Sequence, residues 1–472
     1  MLKKQNPLVN KEHILFYLII TGFFLSILSP HLFSSGMFMD GLMYAGISKN
    51  LANGIGSFWQ PQFSQTMFPA FYEHPPLAFG LQSLLFRIFG DSILIENFYS
   101  LGTALSTGII ITKIMKIIPA NKNLNINWLA LLFWIGFPLL SWSIANNMLE
   151  NTMMIFSTLA TYFILKNHIS KKVFYLIPAG IALYLAFLTK GLTGLFPLSI
   201  PFWFFIFKFD TRFKSFVSQT FILFTTLVMS LLVTFVIFPE SYHFFDNYFQ
   251  KQVLESIISV KTVNNRFFIV FRLFNELIPS MIIGFLLFLS NRKLKISSKT
   301  KKWSLLFFSI GLSGVLPIMI SLKQSGFYMV STFPFFAIGL TLFFSEYANN
   351  FLDKIRKKNN YLNILFISAM LIFLTGIMLN IIPHKGRDTD KIHDVQAITK
   401  HVGENKIICI DSEIWKDYAL YGYFIRYSNI SLSRQLDQVF YIKIKGNQSL
   451  PPEEYHILPI ELNLFELYEH NN

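Results

Sequence analysis

Long runs of apolar residues recur along most of this 472-residue chain, and short polar segments separate them. A helix needs about 20 mainly apolar residues to cross a hydrocarbon core about 30 Å thick. No cleavage site with small residues follows the first run, so we expect it to be an uncleaved anchor. Eleven runs approach or reach the spanning length, and each is predicted to be a transmembrane helix: 14–29, 93–115, 128–145, 149–165, 173–188, 192–207, 216–238, 267–289, 303–322, 328–344 and 361–382.

The segment 30–90, between the first two runs, interrupts this rhythm. It contains two apolar stretches with helical spacing, 37–53 and 75–89. The second stretch is short and contains Arg87. We therefore predict that both are helices that lie at the membrane interface rather than cross it.

A second break begins near Pro383, where hydropathy falls and charge rises. Helix-like segments at 393–402 and 414–427 alternate with strand-like segments at 406–412, 438–445 and 455–464. We therefore predict a transmembrane domain at 1–383 and a small α/β domain at 384–472. The predicted fold class is an all-α polytopic membrane protein with about eleven transmembrane helices, interfacial helices in the first outer loop and this small C-terminal domain.

Charge orients the predicted protein in its membrane. The chain is 53% hydrophobic and only 14% charged, and its net charge is +14. Basic residues cluster in alternate loops, which indicates the positive-inside bias and not a nucleic-acid partner. With a cytoplasmic N-terminus, the 30–90 loop, the 239–266 loop and the C-terminal domain lie outside the cytoplasmic membrane. The single cysteine, Cys409, excludes an intramolecular disulfide and a cysteine-based zinc site.

Two acids in the first outer loop are candidates for chemistry, since Asp40 and Glu73 are the only carboxylates in 30–90. An acid in apolar surroundings costs free energy unless it has a partner or a task. A general base is a positioned carboxylate whose pKa burial can tune. Asp40 starts a predicted helix, so an N-cap role is the alternative, and the residues alone favour neither.

Other candidates lie near the predicted outer ends of spans. His74 follows Glu73 and precedes two prolines. The ring N–H of His74 could bind a phosphate oxygen, or the proline pair could simply start the next helix and leave His74 without a role. Glu150 opens the fourth predicted span. Lys190 and Lys323 oppose the inside bias, and could form an anion site or merely extend to lipid headgroups.

Five motifs in order resemble the GT-C glycosyltransferases, most closely the branch with the bacterial aminoarabinose transferases and the protein O-mannosyltransferases. The motifs are MDGLMYAG (39–46), FYEHPPL (71–77), NNMLENTMMIF (146–156), LTKG (188–191) and LKQSGFYMVSTFPFF (322–336). The family often has Asp-Glu in the first motif, whereas Gly41 follows Asp40 here. The resemblance therefore implies no certain cofactor: a divalent cation is possible, but the second carboxylate that would help to bind it is in doubt.

The resemblance implies an inverting glycosyltransferase that takes its sugar from a polyprenyl-phosphate donor at the outer membrane face. The acceptor would be a lipid, a glycan or a protein. The implied general base is Asp40. The implied phosphate ligands are His74, Lys190 and Lys323, and the implied substrate-positioning residues are Glu73, Glu150 and Tyr328.

The alternative from another class is a lipid or solute transporter without catalysis. A transporter should carry ionisable residues near mid-span or show broken helices in paired repeats. Apart from Arg272 and Glu276, the candidate charges gather at the outer ends of spans, which favours an enzyme.

The predicted topology can be tested with a reporter fused after His401. We expect a reporter that is active only outside the cytoplasm to be active there, because the positive-inside bias places the tail outside. Activity of a cytoplasm-only reporter at the same position would contradict the topology.

Overall fold

The computed structural model describes residues 7–32, 34–121, 126–210, 212–254, 261–382, 386–447 and 454–471. The chain forms two compact units. The helical unit consists of Met1–Leu32, Ser100–Ala145 and Leu149–Pro383, and the mixed unit of Phe33–Tyr99, Asn146–Met148 and His384–Asn472. The helical unit therefore ends at Pro383, where the sequence suggests a domain boundary. Most of the first outer loop belongs to the same unit as residues 384–472, which form the C-terminal tail.

In chain order, the α-helices of the described residues are α1 (Pro7–Ile27), α2 (Ser29–Leu32), α3 (Met39–Ala52), α4 (Leu77–Phe89), α5 (Ile95–Ile117), α6 (Asn127–Ile135), α7 (Pro138–Ala145), α8 (Leu149–Ser170), α9 (Leu176–Lys190), α10 (Ile200–Ile206), α11 (Phe213–Ile237), α12 (Glu240–Asn247), α13 (Phe268–Leu289), α14 (Ser298–Val315), α15 (Phe333–Arg356), α16 (Tyr361–Ile381), α17 (Thr389–Val402) and α18 (Tyr418–Ser428). Four 3₁₀ segments with bearing on the site or the spans are Val173–Tyr175, Gly191–Ser199, Leu316–Ile320 and Gly326–Thr332.

The helical unit contains helices suited to a bilayer. Among the described residues, seven are long and apolar enough to cross a membrane, or eight if α6 and α7, bent by 71°, form one span. The predicted count of eleven is not confirmed. One of the seven, Val173–Ile206, contains a tight turn, since a Cβ on Gly194 would lie 2.7 Å from the carbonyl oxygen of Ala186. The sequence predicts two spans over the same residues, 173–188 and 192–207.

The outward surface of this unit is apolar. In the most apolar 18-residue stretch of α11, only 11% is buried inside the protein, and in the corresponding stretch of α16 only 17% is buried. On α11 the exposed side chains include Phe221, Phe224 and Val236. Such a surface is unfavourable in water and matches the hydrocarbon core of a bilayer. The protein is therefore a polytopic membrane protein, as predicted.

In the mixed unit, the two predicted loop helices are present as α3 and α4. Pro76 precedes α4, where its fixed φ suits the start of a helix. Gly54, with φ +77°, follows the C-cap Asn53 of α3. The exposed face of α4 carries Leu84, Ile88 and Phe89, which is the amphipathic character of an interfacial helix.

The tail forms the predicted small α/β structure. Its strands are β3 (Ile407–Ile410), β4 (Ser431–Ser433), β5 (Phe440–Ile444), β6 (Tyr455–Ile457) and β7 (Phe465–His470), after the two-residue strands β1 (Gly56–Ser57) and β2 (Gln60–Pro61). The five tail strands have the order β4-β3-β5-β7-β6. β3 pairs in parallel with β4 and β5, while β7 pairs antiparallel with β5 and β6. Cys409 lies in the buried aromatic core of this sheet.

A group of charges joins the first loop to the tail within the mixed unit. The side chain of Arg426 on α18 is 1% exposed. It donates to both carboxylate oxygens of Glu96 (2.9 and 3.1 Å) and to Asp91 (2.6 Å). Lys49 on α3 pairs with Asp91 at 2.6 Å and donates to the carbonyl oxygen of Arg426. Each buried charge of this group therefore has an opposite charge in contact.

The pKa of Asp91 is changed by the neighbouring charges of Lys49 and Arg426. Burial alone would raise the pKa of Asp91, but the hydrogen bond from Lys49 and the charges of Arg426 and Lys49 hold that pKa below its ordinary value of 3.8. The pKa is lower in the folded than in the unfolded state. The resulting contribution to stability is complete above the unfolded pKa and is lost only as pH falls through the folded pKa.

We predict that Arg426→Met lowers the free energy of unfolding of the mixed unit by about 3–5 kcal/mol, because Glu96 stays buried without its counter-ion. The matched control is Arg434→Met. Arg434 is an exposed residue over the ring of Trp415, and its loss should cost less than about 1 kcal/mol. Thermal unfolding and protease resistance of the tail measure both effects. Equal stability of the two variants would contradict the prediction.

Candidate functional site

Asp40 is the second residue of α3 and is half-buried. Phe38 occupies the N-cap position, with φ −63° and ψ 145°. Asp40 is therefore not the N-cap residue, and the capping alternative is wrong in that form. A carboxylate in the first turn of a helix interacts favourably with the helix dipole, and in its ionised form it can accept a proton from a well-placed donor.

Glu73 and His74 lie in the turn before α4. The imidazole ring of His74 meets the ring of Tyr44 edge-on, with centroids 5.8 Å apart and an interplanar angle of 71°. Tyr44 follows Asp40 by four residues on α3, so the two side chains lie on one face of the helix. The mixed unit thus brings His74 to the face of α3 that carries Asp40.

Three predicted residues form a cluster inside the helical unit. Lys190, the last residue of α9, forms an ion pair with Glu150, the second residue of α8. The two side chains are 7% and 0% exposed. The ammonium group of Lys190 also lies 5.0 Å from the centroid of the Tyr328 ring and 5.5 Å from that of Phe327. Lys190 therefore does not extend to the lipid headgroups, and that alternative is wrong for this residue.

Local structure places Lys190 at a sharp chain reversal. Gly191 has φ +70°, a conformation that favours glycine. A Cβ at Gly191 would also collide with the hydroxyl of the buried Tyr248. The Lys-Gly pair of the fourth motif therefore has a structural reason: the glycine lets α9 end and the chain turn back, which leaves Lys190 at the helix end.

The carboxylate of Glu150 is only partly satisfied. One oxygen accepts from Lys190, and the other, Oε2, is buried without a hydrogen-bond partner in the described residues. A buried unpaired oxygen of a carboxylate is costly. Glu150 is therefore a residue to which a ligand hydroxyl or a water molecule could donate.

Lys323 belongs to a different neighbourhood of the same unit. Its ammonium group donates to Oε1 of Gln252 at 3.3 Å, and its backbone N–H donates to the hydroxyl of Ser321. The partner Gln252 is a neutral amide. Among the described residues, Lys323 therefore keeps a net positive charge, whereas the charge of Lys190 is balanced by Glu150.

The helical unit contains a further ion pair, Arg272 with Glu276, which was not among the site residues predicted from the sequence. Arg272 and Glu276, four residues apart on α13, are 2.8 Å apart. Glu276 also accepts from the backbone N–H of Leu139 at 2.7 Å. A Cβ on Gly326 would lie 3.3 Å from Arg272, so Arg272 adjoins the segment that carries Tyr328. The available signal was two charges within an apolar run, which in a membrane helix indicates function.

The donor set offers no clear metal site. Among the described residues, no group of three or more His, Cys, Asp or Glu side chains lies close enough to hold a metal ion.

Comparisons with known proteins agree with this fold. Residues 73–238 match the model of the dolichyl-phosphate-mannose-protein mannosyltransferase family. The structure is similar to that of ArnT from Cupriavidus metallidurans bound to undecaprenyl phosphate, with a TM-score of 0.62, 12% identity, and coverage of 98% of this chain and 97% of that one. The apo form of the same ArnT gives 0.57, with 15% identity and coverage of 91% and 86%.

An archaeal protein, the oligosaccharyltransferase of Archaeoglobus fulgidus, is also similar, with a TM-score of 0.50, 11% identity, and coverage of 91% of this chain and 64% of that one. No curated protein gave a match. The chain is a polytopic membrane protein with the fold of the GT-C glycosyltransferases. The resemblance predicted from its five motifs, to the aminoarabinose transferase and protein mannosyltransferase branch, is confirmed.

The Lys190–Glu150 pair predicts a specific pattern of stability. Lys190→Met should lower the free energy of unfolding by about 3–5 kcal/mol, because it leaves the Glu150 carboxylate buried without a counter-ion. The double variant Lys190→Met/Glu150→Gln removes both charges and should recover most of that loss. Thermal unfolding in detergent compares the wild type, the single variant and the double variant. A double variant less stable than the single one would contradict the pairing.

Proposed function

We propose that this protein transfers a sugar from a polyprenyl-phosphate donor to a lipid, glycan or protein acceptor on the outer face of the cytoplasmic membrane. The observation that carries the proposal is the half-buried Asp40 in the first turn of a packed helix, in an acid-poor loop of a GT-C fold. The binding of undecaprenyl phosphate by the similar ArnT supports the class of donor.

The proposed reaction needs one base and an anion site. Asp40 takes the proton of the acceptor hydroxyl as that oxygen bonds to the anomeric carbon of the sugar. The bond from the anomeric carbon to the phosphate oxygen breaks, and its electron pair leaves with the phosphate. Since the phosphate is a stable anion, no general acid has to protonate it. Attack from the side opposite the phosphate inverts the anomeric carbon.

The basic side chains described above are proposed to have different roles in this transfer reaction. Within the described residues Lys323 contacts a neutral amide and forms no ion pair, so it is the stronger candidate for contact with the donor phosphate. Lys190 and Arg272 are each balanced by a carboxylate, so they add hydrogen-bond donors and little net charge. His74 adds a donor in the mixed unit, and Glu73, Glu150 and Tyr328 are proposed to position the sugar or the acceptor.

The sugar and the acceptor can be found through the cell envelope. Mass spectrometry of glycolipids and glycoproteins in a strain that lacks the gene, compared with its parent, should show one component without its sugar. The lipid fraction of the same strain should retain the polyprenyl-phosphate-linked donor, which then serves for assays in vitro.

We predict that Asp40→Asn lowers the transfer rate by roughly 10²–10⁴-fold, because an amide cannot accept the proton of the acceptor. The change should cost less than about 1 kcal/mol of stability, the usual value of a charge at a helix N-terminus. The matched control is Asp437→Asn, an exposed aspartate of the same unit, which should keep full activity. The assay measures transfer per molecule of purified protein in nanodiscs.

If Asp40→Asn protein transfers sugar at the wild-type rate, Asp40 is not the base. Glu73, the other acid of the loop, would then be tested in the same way. If both substitutions leave transfer unchanged, the proposed mechanism is wrong.

A further inference from the structure

The start of α3 lies against the short segment 146–148 of the same mixed unit. The backbone N–H of Phe38 donates to Oδ1 of Asn146 at 2.5 Å. The side-chain amide of Asn147 donates to the carbonyl oxygen of Gly41 at 3.3 Å. These two contacts hold the residues on either side of Asp40 along the chain.

The side chain of Asn147 is itself held in place. Its oxygen accepts from Nε2 of Gln82 at 3.2 Å, and its nitrogen lies 3.3 Å from Oε1 of the same residue. Gln82 on α4 also accepts from the hydroxyl of Ser48 on α3, at 3.0 Å. All three side chains are buried. A buried polar group with its bonds made fixes the orientation of the elements that it joins.

The backbone of this segment approaches α3 so closely that only glycine fits there. A Cβ at Gly41 would collide with the carbonyl oxygen of Asn146. Asn147 has φ +51°, in the left-handed region that asparagine tolerates better than most residues. The close contact between segment 146–148 and α3 therefore explains both the glycine at position 41 and the asparagine at position 147.

We infer that Asn147, with Asn146, is a positioning residue that sets the first turn of α3 and thereby the position of the Asp40 carboxylate. This inference rests on the proposed role of Asp40 as base. It also explains why Gly41 replaces the second acid of the first motif: the Asn146 carbonyl occupies the space that a side chain at 41 would need.

The first test is Asn147→Gly, which keeps the left-handed backbone and removes the amide bonds to Gly41 and Gln82. Full-length protein in nanodiscs is assayed with the polyprenyl-phosphate-linked sugar fraction extracted from the deletion strain. We expect kcat to fall by roughly tenfold or more, because a small misplacement of a reacting group is costly. The KM for the lipid donor should stay within about twofold, since Asn147 acts on the base and not on the donor.

A second variant, Gln82→Ala, releases the Asn147 amide without a change in the turn. It should lower kcat in the same direction. If Asn147→Gly does not fold, Gln82→Ala alone decides whether the amide group matters. Unchanged kcat in the folded variants overturns the inference.

The decisive measurement is a double-mutant cycle with Asp40→Glu, which keeps a carboxylate but moves it along a longer side chain. If Asn147 acts through the position of Asp40, Asn147→Gly should cost less than about twofold in the Asp40→Glu background. An equal loss in both backgrounds would make Asn147 a merely structural residue. An active Asp40→Asn variant would instead overturn the proposed base, so the two failures differ.

Glycine substitutions supply the matched control. Gly41→Ala should lower kcat, because the new Cβ must displace the Asn146 carbonyl. Gly102→Ala on α5 places a Cβ in open space, with nothing within 4 Å, and should leave transfer unchanged. Wild-type activity of Gly41→Ala would show that the contact with Asn146 does not position Asp40.

Discussion

The mixed unit depends on the guanidinium group of Arg426. A cation removed from water carries a desolvation penalty of several kcal/mol, which good geometry and opposite charges must offset. Arg426 meets this requirement with hydrogen bonds to Glu96, Asp91 and the carbonyl oxygen of Ser92. A lysine has no planar fork of donors, so it could not bind these three acceptors in the same way. Without this group, Glu96 would be buried beside an apolar tail helix with no cation to balance it.

The same constraint recurs at other buried acids in the described part of this charge-poor chain. Glu150 pairs with Lys190, Glu276 with Arg272, and Glu12 with Arg356. Asp394 has another solution: its fully buried carboxylate accepts from the backbone N–H groups of residues 463–465, at 2.6 to 3.2 Å. Each of these ion pairs holds hydrogen-bond donors and acceptors in fixed positions. Because its two charges cancel, the pair has only a weak electric field. A cation whose observed partner is neutral, such as Lys323 beside Gln252, has a stronger net field.

Much of the fold could be predicted because local pattern determines it. The apolar spacing of 37–53 and 75–89 indicated α3 and α4, and the alternation after residue 383 indicated the helices and most strands of the tail. Partners far apart in sequence could not be predicted. Lys190 read as an isolated charge, since nothing in the chain marks Glu150, 40 residues earlier, as its partner. The number of spans stays a prediction where short apolar helices bend, as α6 and α7 do by 71°, because the length of an apolar run carries no information on the direction of its helices.

The distance along the chain between Glu96 and Arg426 has a consequence for biosynthesis. The two residues are 330 positions apart. At a synthesis rate of about 5–20 residues per second, Glu96 waits roughly 15–70 s before its cation is made. During that interval the carboxylate of Glu96 lacks its buried partner, so the mixed unit completes its folding only after α18 has been synthesised. A nascent chain cut short before α18 would leave Glu96 without its cationic partner.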